Sequence, residues 1–335
     1  MEKTTGILDA DRCVHCHLCQ KHCAFLSKYQ MDIGDTEKLR ELSYHCFLCG
    51  VCSEVCPLGI DGRGIVLTMR RERAEKNHGK AAEKGYGFLL MEKENYMFRN
   101  GRHKKCESLL FPGCNFPSFY PETTKVMIRL LREQAGMGVL FDCCGKPVGE
   151  LGLKNKEETI LRRLEKSIKE SGAREVVMVC PNCYDYLNGR LSVPVVSIYE
   201  KLKSLGLGTT IRGKAAFFLP CPDREKRRWL SWISPFLEEE PEILANTQCC
   251  GLGGCAGKKE PELSRAMARK IGERGYARVY TYCASCAGNL SRNGCGEAVH
   301  VLTEILNTGE KPDTKKSLLN RAAMKFYGEP KGESG

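Results

Sequence analysis

Between residues 106 and 310 short apolar runs alternate with amphipathic stretches, and the alternation is written twice. CESLLFPGC (106–114), GAREVVMVC (172–180) and VVSIYEKL (195–202) have counterparts in KAAFFLPC (214–221), GYARVYTYC (275–283) and VHVLTEIL (299–306). Runs this short, rich in β-branched and aromatic residues and bounded by Gly or Pro, read as buried strands. Between them lie helical stretches with clear punctuation. One opens at Pro121 and ends near Gly136. Another is capped by Asn155, carries Ile160, Leu164 and Ile168 on one face, and stops at Gly172. A third opens at Pro261, with Leu263, Met267 and Ile271 at four-residue spacing. Strands alternating with helices predict a helix-covered parallel sheet in each copy. The two copies are expected to pack with pseudo-two-fold symmetry.

The pattern differs upstream. The stretch LSKYQMDIGDTEKLRELSYH places Leu39 and Leu42 three apart and shows no strand alternation, so the N-terminal part is expected to be helical. The expected fold class is α plus α/β: an all-helical domain over 1–75, a basic helical linker over 76–105, α/β domains over 106–208 and 209–310, and a basic tail over 311–335. The tail contains Gly and Pro and is expected to be poorly ordered.

Cysteine placement gives this architecture its chemistry. Each copy carries one cysteine, then Cys-Cys-Gly, then Cys-x-x-Cys. The first set is Cys114, Cys143, Cys144, Cys180 and Cys183; the second is Cys221, Cys249, Cys250, Cys283 and Cys286. Neighbouring side chains on a strand face opposite ways. Two consecutive thiolates therefore serve one site only where a strand ends in a turn, and a Gly free to take positive φ suits that turn. Both sets fall at the carboxyl ends of predicted strands, where open α/β sheets hold ligands. Five thiolates are one more than a tetrahedral zinc or a cubane cluster takes.

The N-terminal part holds two further runs, Cys13-x2-Cys16-x2-Cys19-x3-Cys23 and Cys46-x2-Cys49-x2-Cys52-x3-Cys56-Pro57. This spacing ligates [4Fe–4S] cubanes in two-cluster ferredoxins, where the fourth cysteine of each run crosses to the other cluster. It assigns Cys13, Cys16, Cys19 and Cys56 to one cubane, and Cys46, Cys49, Cys52 and Cys23 to its neighbour. His15, His17, His22 and His45 lie among them and, with eight cysteines present, read as supporting or surface groups. Two neighbouring cubanes carry electrons and transform no substrate. The helical spacer makes this segment similar to the ferredoxin-like half of succinate dehydrogenase iron–sulfur subunits and to the small heterodisulfide reductase subunit.

Composition narrows the setting. The 335-residue chain has 21 cysteines, an odd number, and begins MEKTTGILDADRC without an apolar leader stretch, so disulfides are not expected. No window approaches the ~18 apolar residues of a membrane span. A reducing, anaerobic cytoplasm is the expected location, with peripheral attachment at the inner membrane face through a partner subunit. The formal charge is +11, and residues 63–105 concentrate it, with 12 Lys/Arg against 5 Asp/Glu. No nucleic-acid recognition motif accompanies this charge. A solvated basic helix explains it; docking of an acidic redox partner or an anionic membrane surface is the sharper reading.

With both complete five-cysteine sets in view, residues 106–310 resemble the tandem cysteine-rich CCG domains of the heterodisulfide reductase family. With the ferredoxin-like segment in front, the whole chain resembles the D-type heterodisulfide reductase subunits, in which the ferredoxin-like and CCG parts are fused. It shares its layout with iron–sulfur subunits of anaerobic glycerol-3-phosphate dehydrogenase and glycolate oxidase. The resemblance implies a non-cubane [4Fe–4S] cluster on each five-cysteine set, with a small-molecule disulfide cleaved, or thiols joined, between them; the ten cysteines are then the catalytic residues. It implies two cubanes, one or two non-cubane clusters, and no flavin or nicotinamide site in this chain. The second set ends in Cys-Ala-Ser-Cys where Cys-Pro-x-Cys is usual, and leaves non-cubane, cubane and zinc open there. The implied partners are a flavoprotein, hydrogenase or membrane cytochrome subunit in a hetero-oligomeric complex, with no nucleic acid. The rival reading is an electron-transfer subunit of a flavin-dependent glycerol-3-phosphate, glycolate or lactate dehydrogenase feeding quinone; a zinc-stapled scaffold is a third. Cys106 and Cys295 read as small buried hydrophobes; for Cys255, five residues beyond Cys250, approach to the second site is the lesser reading; and Gly251-x-Gly253-Gly254 reads as a backbone cradle for an anion or slack around the cluster.

Overall fold

A computed structural model describes residues 7–328; residues 1–6 and 329–335, the ends of the N-terminal segment and of the basic tail, lie outside the described residues. The duplicated pattern folds into two four-stranded parallel sheets. The first comprises β1 (Ser108–Phe111), β2 (Gly138–Val139), β3 (Glu175–Met178) and β4 (Val195–Ser197), in the order β2-β1-β3-β4. The second comprises β5 (Ala216–Phe217), β6 (Glu242–Ile243), β7 (Arg278–Thr281) and β8 (Glu297–His300), in the same order, β6-β5-β7-β8. Leu109 pairs with Val176 across β1 and β3, and Phe217 with Tyr280 across β5 and β7. The edge strands β2 and β6 have two residues each, too short to show any period in the sequence.

The helices follow the sequence punctuation with one difference. Helix Pro121–Ala135 ends at Gly136 in the left-handed region (φ 59°), and helix Pro261–Gly272 starts at its proline. The helix expected to be capped by Asn155 starts earlier, at Lys154, with Leu153 at the cap position and no side-chain cap. Asn155 lies inside the first turn, where its carbonyl accepts from Thr159 Oγ1 (2.9 Å).

No strand precedes Ser108 among the described residues; the N-terminal segment is short helices followed by helix Gly62–Lys76. This segment shares one apolar core with the second sheet domain: Phe25, Leu48 and Ile65 join Phe218, Met267 and Leu290. A second core joins the two sheets through Val177, Phe116, Phe217 and Tyr280.

Helix Gly62–Lys76 overturns the solvated reading of the basic stretch at one residue above all. Arg70 is 0% exposed, and its guanidinium donates to the carbonyls of Ser43 (2.8 Å), Cys46 (2.7 Å), Glu150 (2.7 Å) and Gly254 (2.7 Å). One side chain thereby rivets the N-terminal segment to both sheet domains. Arg73 and Lys93 are likewise paired, with Glu83 and Glu92. Within residues 63–105, Arg70, Arg73, Lys93 and Lys104 are engaged internally, while Lys76, Lys80, Lys84, Arg99, Arg102 and Lys105 are exposed. The tail also differs from expectation: Ser317–Lys325 is a helix, held by Ser118 Oγ donating to Ser317 O (3.0 Å) and Asn100 Nδ2 donating to Met324 O (3.0 Å).

Candidate functional site

Each five-cysteine set is assembled by strand ends. Cys114 follows β1 and Cys180 follows β3; Cys221 and Cys283 follow β5 and β7 in the same way. The Cys-Cys pairs turn on Gly145 (φ 87°) and Gly251 (φ 89°), conformations that disfavour any Cβ-bearing residue. Cys180 and Cys283 each stand at the cap position of a helix that carries the second cysteine of their Cys-x-x-Cys, Cys183 and Cys286.

The thiols of each set lie against one another. In the first, Cys144 takes hydrogen bonds from Cys143 and Cys183, which hold its pKa down to about 5. A hydrogen bond shared with Cys143 and burial push Cys114 well up. In the second, Cys221 lies 3.8 Å from Cys249, and Cys250 is held well below the usual thiol range by Cys249 and Cys286. The two sets also meet. Hydrogen bonding from Cys180, then Cys286, holds Cys283 well down. Asn182 Nδ2 donates to Cys283 Sγ (3.5 Å), and Asn115 Nδ2 donates to Ser285 Oγ (2.7 Å). Both sets open on one cavity of about 560 Å³, which Cys49 of the N-terminal segment also lines.

Around the thiols the wall is apolar and cationic. Phe47, Leu48 and Leu89 line it with exposed Phe88 and Leu252, and Arg63, Lys93, Lys146 and Lys258 face Glu150 as the lone carboxylate of the lining. Lys93 is 7% exposed; burial works against its charge, but Cys114, Cys143 and Glu92 outweigh this and raise its pKa.

Of the N-terminal cysteines, Cys19, Cys23, Cys49 and Cys52 are buried, Cys13, Cys46 and Cys56 half-buried, and Cys16 exposed. Burial raises the Cys23 thiol and the proximity of Cys49 and Cys46 raises it further, so Cys23 lies beside the second run. Burial raises Cys19 to about 12, with Cys13 among its neighbours. The second run abuts the second sheet domain: a hydrogen bond from Cys249 holds Cys49 down to about 6. Gln248 bridges the junction, donating from Nε2 to Cys23 Sγ (3.5 Å) and Cys49 Sγ (3.9 Å) while Oε1 accepts from Ala24 N (2.8 Å). Arg224 donates to Cys49 O (3.0 Å) and pairs with Glu54 (2.7 Å).

Among the histidines, His17 and His15 face Asp32 (2.8 and 3.5 Å), and His45 faces Glu260 (2.7 Å). Cys295 is buried and Cys106 half-buried, its Sγ donating to Lys104 O (3.1 Å). Cys255 lines the shared cavity but turns towards the first domain, 3.8 Å from Pro147 O. The glycine run after Cys250 serves close packing: a Cβ on Gly254 would lie 2.6 Å from Cys46 O. Asn115, Asn182, Gln248, Lys93 and Arg224 escaped the sequence reading. Asn115, Asn182 and Gln248 lie inside or beside the cysteine motifs; Lys93 and Arg224 carry no local signal.

The donor chemistry fits iron–sulfur clusters. Each set offers five soft thiol ligands free of any carboxylate, and a backbone N–H at the turn reaches sulfur, from Gly251 to Cys249 Sγ at 3.3 Å. Residues 108–188 and 215–291 each match the cysteine-rich CCG domain family. The B-type subunit of fumarate reductase (CoM/CoB) of Methanothermobacter marburgensis is 23% identical over 90% of this chain and 72% of its own length. The D-type subunit of dihydromethanophenazine:CoB–CoM heterodisulfide reductase of Methanosarcina acetivorans is 22% identical over 70% of this chain and 68% of its own. EtfAB:quinone oxidoreductase of Syntrophomonas wolfei is 25% identical over 44% of this chain, which spans 24% of that relative's length. No helix among the described residues is long and apolar enough to cross a membrane.

Proposed function

Because the chain carries two CCG cysteine-rich domains, we propose that it is an iron–sulfur oxidoreductase subunit that exchanges electrons with a partner and uses them in disulfide/thiol chemistry. The observation that carries this reading is that both five-cysteine sets open on one cavity, whose wall includes a cysteine of the N-terminal runs. In this reading residues 1–75 form a two-cubane ferredoxin domain, joined by 76–105 to pseudo-symmetric CCG domains over 106–208 and 209–310. Cys13, Cys16, Cys19 and Cys56 hold one cubane and Cys46, Cys49, Cys52 and Cys23 the other. Cys114, Cys143, Cys144, Cys180 and Cys183 hold a non-cubane [4Fe–4S] cluster, and Cys221, Cys249, Cys250, Cys283 and Cys286 hold a second cluster.

When bound, the clusters supply one-electron carriers beside thiophilic iron. The protein does the rest. Asn115 and Asn182 lock the two sets together by their bonds to Ser285 and Cys283. Phe47, Leu48 and Leu89 keep water from the thiols, and Lys93 and Lys146 offset their negative charge. An apolar wall with an excess of cations suits an anionic thiol or disulfide, the class to which the CoM and CoB named for two relatives point. The balanced reaction takes a disulfide, two electrons and two protons to two thiols, or the reverse. The partner is a redox subunit of a hetero-oligomeric complex.

The test is anaerobic purification followed by iron, sulfide and zinc analysis, EPR with and without thiol, and disulfide reductase assay of Cys144→Ala and Cys250→Ala. Four clusters, a thiol-dependent signal and loss of activity in both variants are expected; full activity in both sinks the reading. The match to EtfAB:quinone oxidoreductase favours a second reading, an electron-transfer subunit of a flavin-dependent dehydrogenase. Copurification with a flavin subunit and quinone-dependent turnover, without disulfide reductase activity, would establish it instead.

A further inference from the structure

A second cleft, of about 710 Å³, lies on the surface where the N-terminal segment meets the second sheet domain. Its floor is apolar: Val51, Leu219, Leu244, Met267 and Ile271 are all buried. Its rim is basic. Lys21, Arg227, Lys270 and Arg274 line it in exposed positions, and none of them makes an ion pair among the described residues; Arg274 reaches only the Asn246 carbonyl, at 3.4 Å. Glu54, the single carboxylate of the lining, is already taken by Arg224. In the shared cavity Lys93 and Lys146 are matched by Glu92 and Glu150, and the cation excess there rests on Arg63 and Lys258.

We propose that this cleft is the docking surface for a redox partner protein that presents acidic side chains around an apolar contact. An apolar floor inside a charged rim is the anatomy of a protein interface, and unpaired cations invite an oppositely charged face, which speeds encounter and fixes orientation. The position gives the contact a purpose. Cys249 lines this cleft as well as the shared cavity, and Gln248, bonded to the thiols of Cys23 and Cys49, lines it too. A partner seated there lies beside the junction of the N-terminal cysteines and the second five-cysteine set. The acidic docking expected from the charge of residues 63–105 is placed here on Lys21, Arg227, Lys270 and Arg274 instead, the cations that rim a cleft beside the cysteines; within the basic stretch Arg70 and Arg73 are engaged internally. The inference rests on the electron-transfer reading above.

The test uses the full, cluster-loaded chain, a strongly acidic ferredoxin as probe, and the variant Arg227→Glu/Lys270→Glu/Arg274→Glu. All three positions are exposed and outside the cysteine sites. Ferredoxin affinity is measured against ionic strength, and cluster reduction is followed with the reduced ferredoxin and, separately, with cationic methyl viologen. The expected result is binding by the native chain that weakens with salt, an affinity about tenfold lower in the variant with a flattened salt dependence, and unchanged reduction by viologen. Equal affinity in the two proteins, or no binding by either, overturns the docking proposal. So does binding of inorganic pyrophosphate, or of phosphatidylserine vesicles, that depends on these three residues while ferredoxin binding does not. Failure of viologen to reduce the native protein overturns the electron-transfer reading itself, a separate result.

Discussion

The two five-cysteine sets have the same cysteine pattern on the same strand ends and different surroundings. The residue before each Cys-Cys pair shows the divergence. In the first set it is Asp142, buried, accepting from Cys143 N (2.7 Å) and from Arg163 (2.8 Å), so it faces into its own domain. In the second it is Gln248, whose amide reaches out to Cys23 and Cys49. A carboxylate in place of that amide would meet thiolates with like charge; an amide donates to them. The first set instead has the buried Lys93 ammonium beside Cys114 and Cys143. The two sets thus share their cysteine pattern, while the second faces the N-terminal segment and the first has a buried ammonium beside it. In the functional reading, electrons reach the second set first.

The largest test of this asymmetry is to remove one ligand from each set. Cys250→Ala is expected to lower electron delivery to the first set and to substrate by about 100-fold or more. Cys144→Ala is expected to stop substrate turnover while the second set still accepts electrons. Rapid-freeze EPR after mixing with reductant distinguishes them; identical spectra in the two variants would show that order between the sets is wrong.

Next comes the rivet shared by all three parts. Arg70→Met leaves the carbonyls of Ser43, Cys46, Glu150 and Gly254 without their buried donor. A loss of about 3 kcal/mol is expected, read from denaturant midpoints of the loaded protein. If the comparison is right, hydrogen exchange rises at the junction with Cys46 and Gly254 as well as at Glu150. Exchange confined to one domain would mean that Arg70 belongs to that domain alone.

How much of this was legible depends on range. Cysteine spacing and the Gly after each pair act within a few residues, and the turns at Gly145 and Gly251 follow them. Strands of three or four residues, such as β3, β7 and β8, show as apolar runs, whereas two-residue β2 and β6 do not. Arg70 looked like a solvated charge because its carbonyl partners come from three distant segments. Gly254 looked like an anion cradle because the backbone it packs against, at Cys46, is about two hundred positions away in the chain. That the helical segment shares a core with the second domain, while Tyr44 and Arg70 tie it to the first, was unreadable for the same reason: Gln248, Arg224 and Glu260 have no motif.

A smaller effect is expected at the bridge itself. Gln248→Ala removes the N–H donors to Cys23 and Cys49 and the acceptor for Ala24 N. Hydrogen bonds to ligand sulfur favour the reduced, more negative cluster. The signal assigned to Cys46, Cys49, Cys52 and Cys23 is therefore expected to move to more negative potential, and transfer to the second set to slow about tenfold. Asp142→Ala, the matching change in the first set, should leave that signal in place. Equal shifts in both variants would dissolve the contrast between the two residues.

The finest test concerns pH where the N-terminal segment packs on the second sheet domain. Glu260, 1% exposed, takes Lys28 Nζ (2.6 Å), Tyr29 OH (2.7 Å) and His45 Nδ1 (2.7 Å) from the N-terminal segment. Burial opposes its ionisation, but the bonds from Lys28, His45 and Tyr29 outweigh burial and hold its pKa below the ordinary carboxylate value. A depressed pKa stabilises the folded form above the pKa of the unfolded chain, and that share is lost as pH falls through the folded-state value. Native protein is therefore expected to exceed Glu260→Gln by about 0.5–1 kcal/mol at neutral pH, because the Lys28 end of the pair is half in solvent. The difference should shrink in acid, below about pH 4. Melting temperatures of both proteins across that range decide it. A gap that stays constant with pH would mean that Glu260 holds the segment by shape and neutral hydrogen bonds, and that its charge adds nothing to that packing.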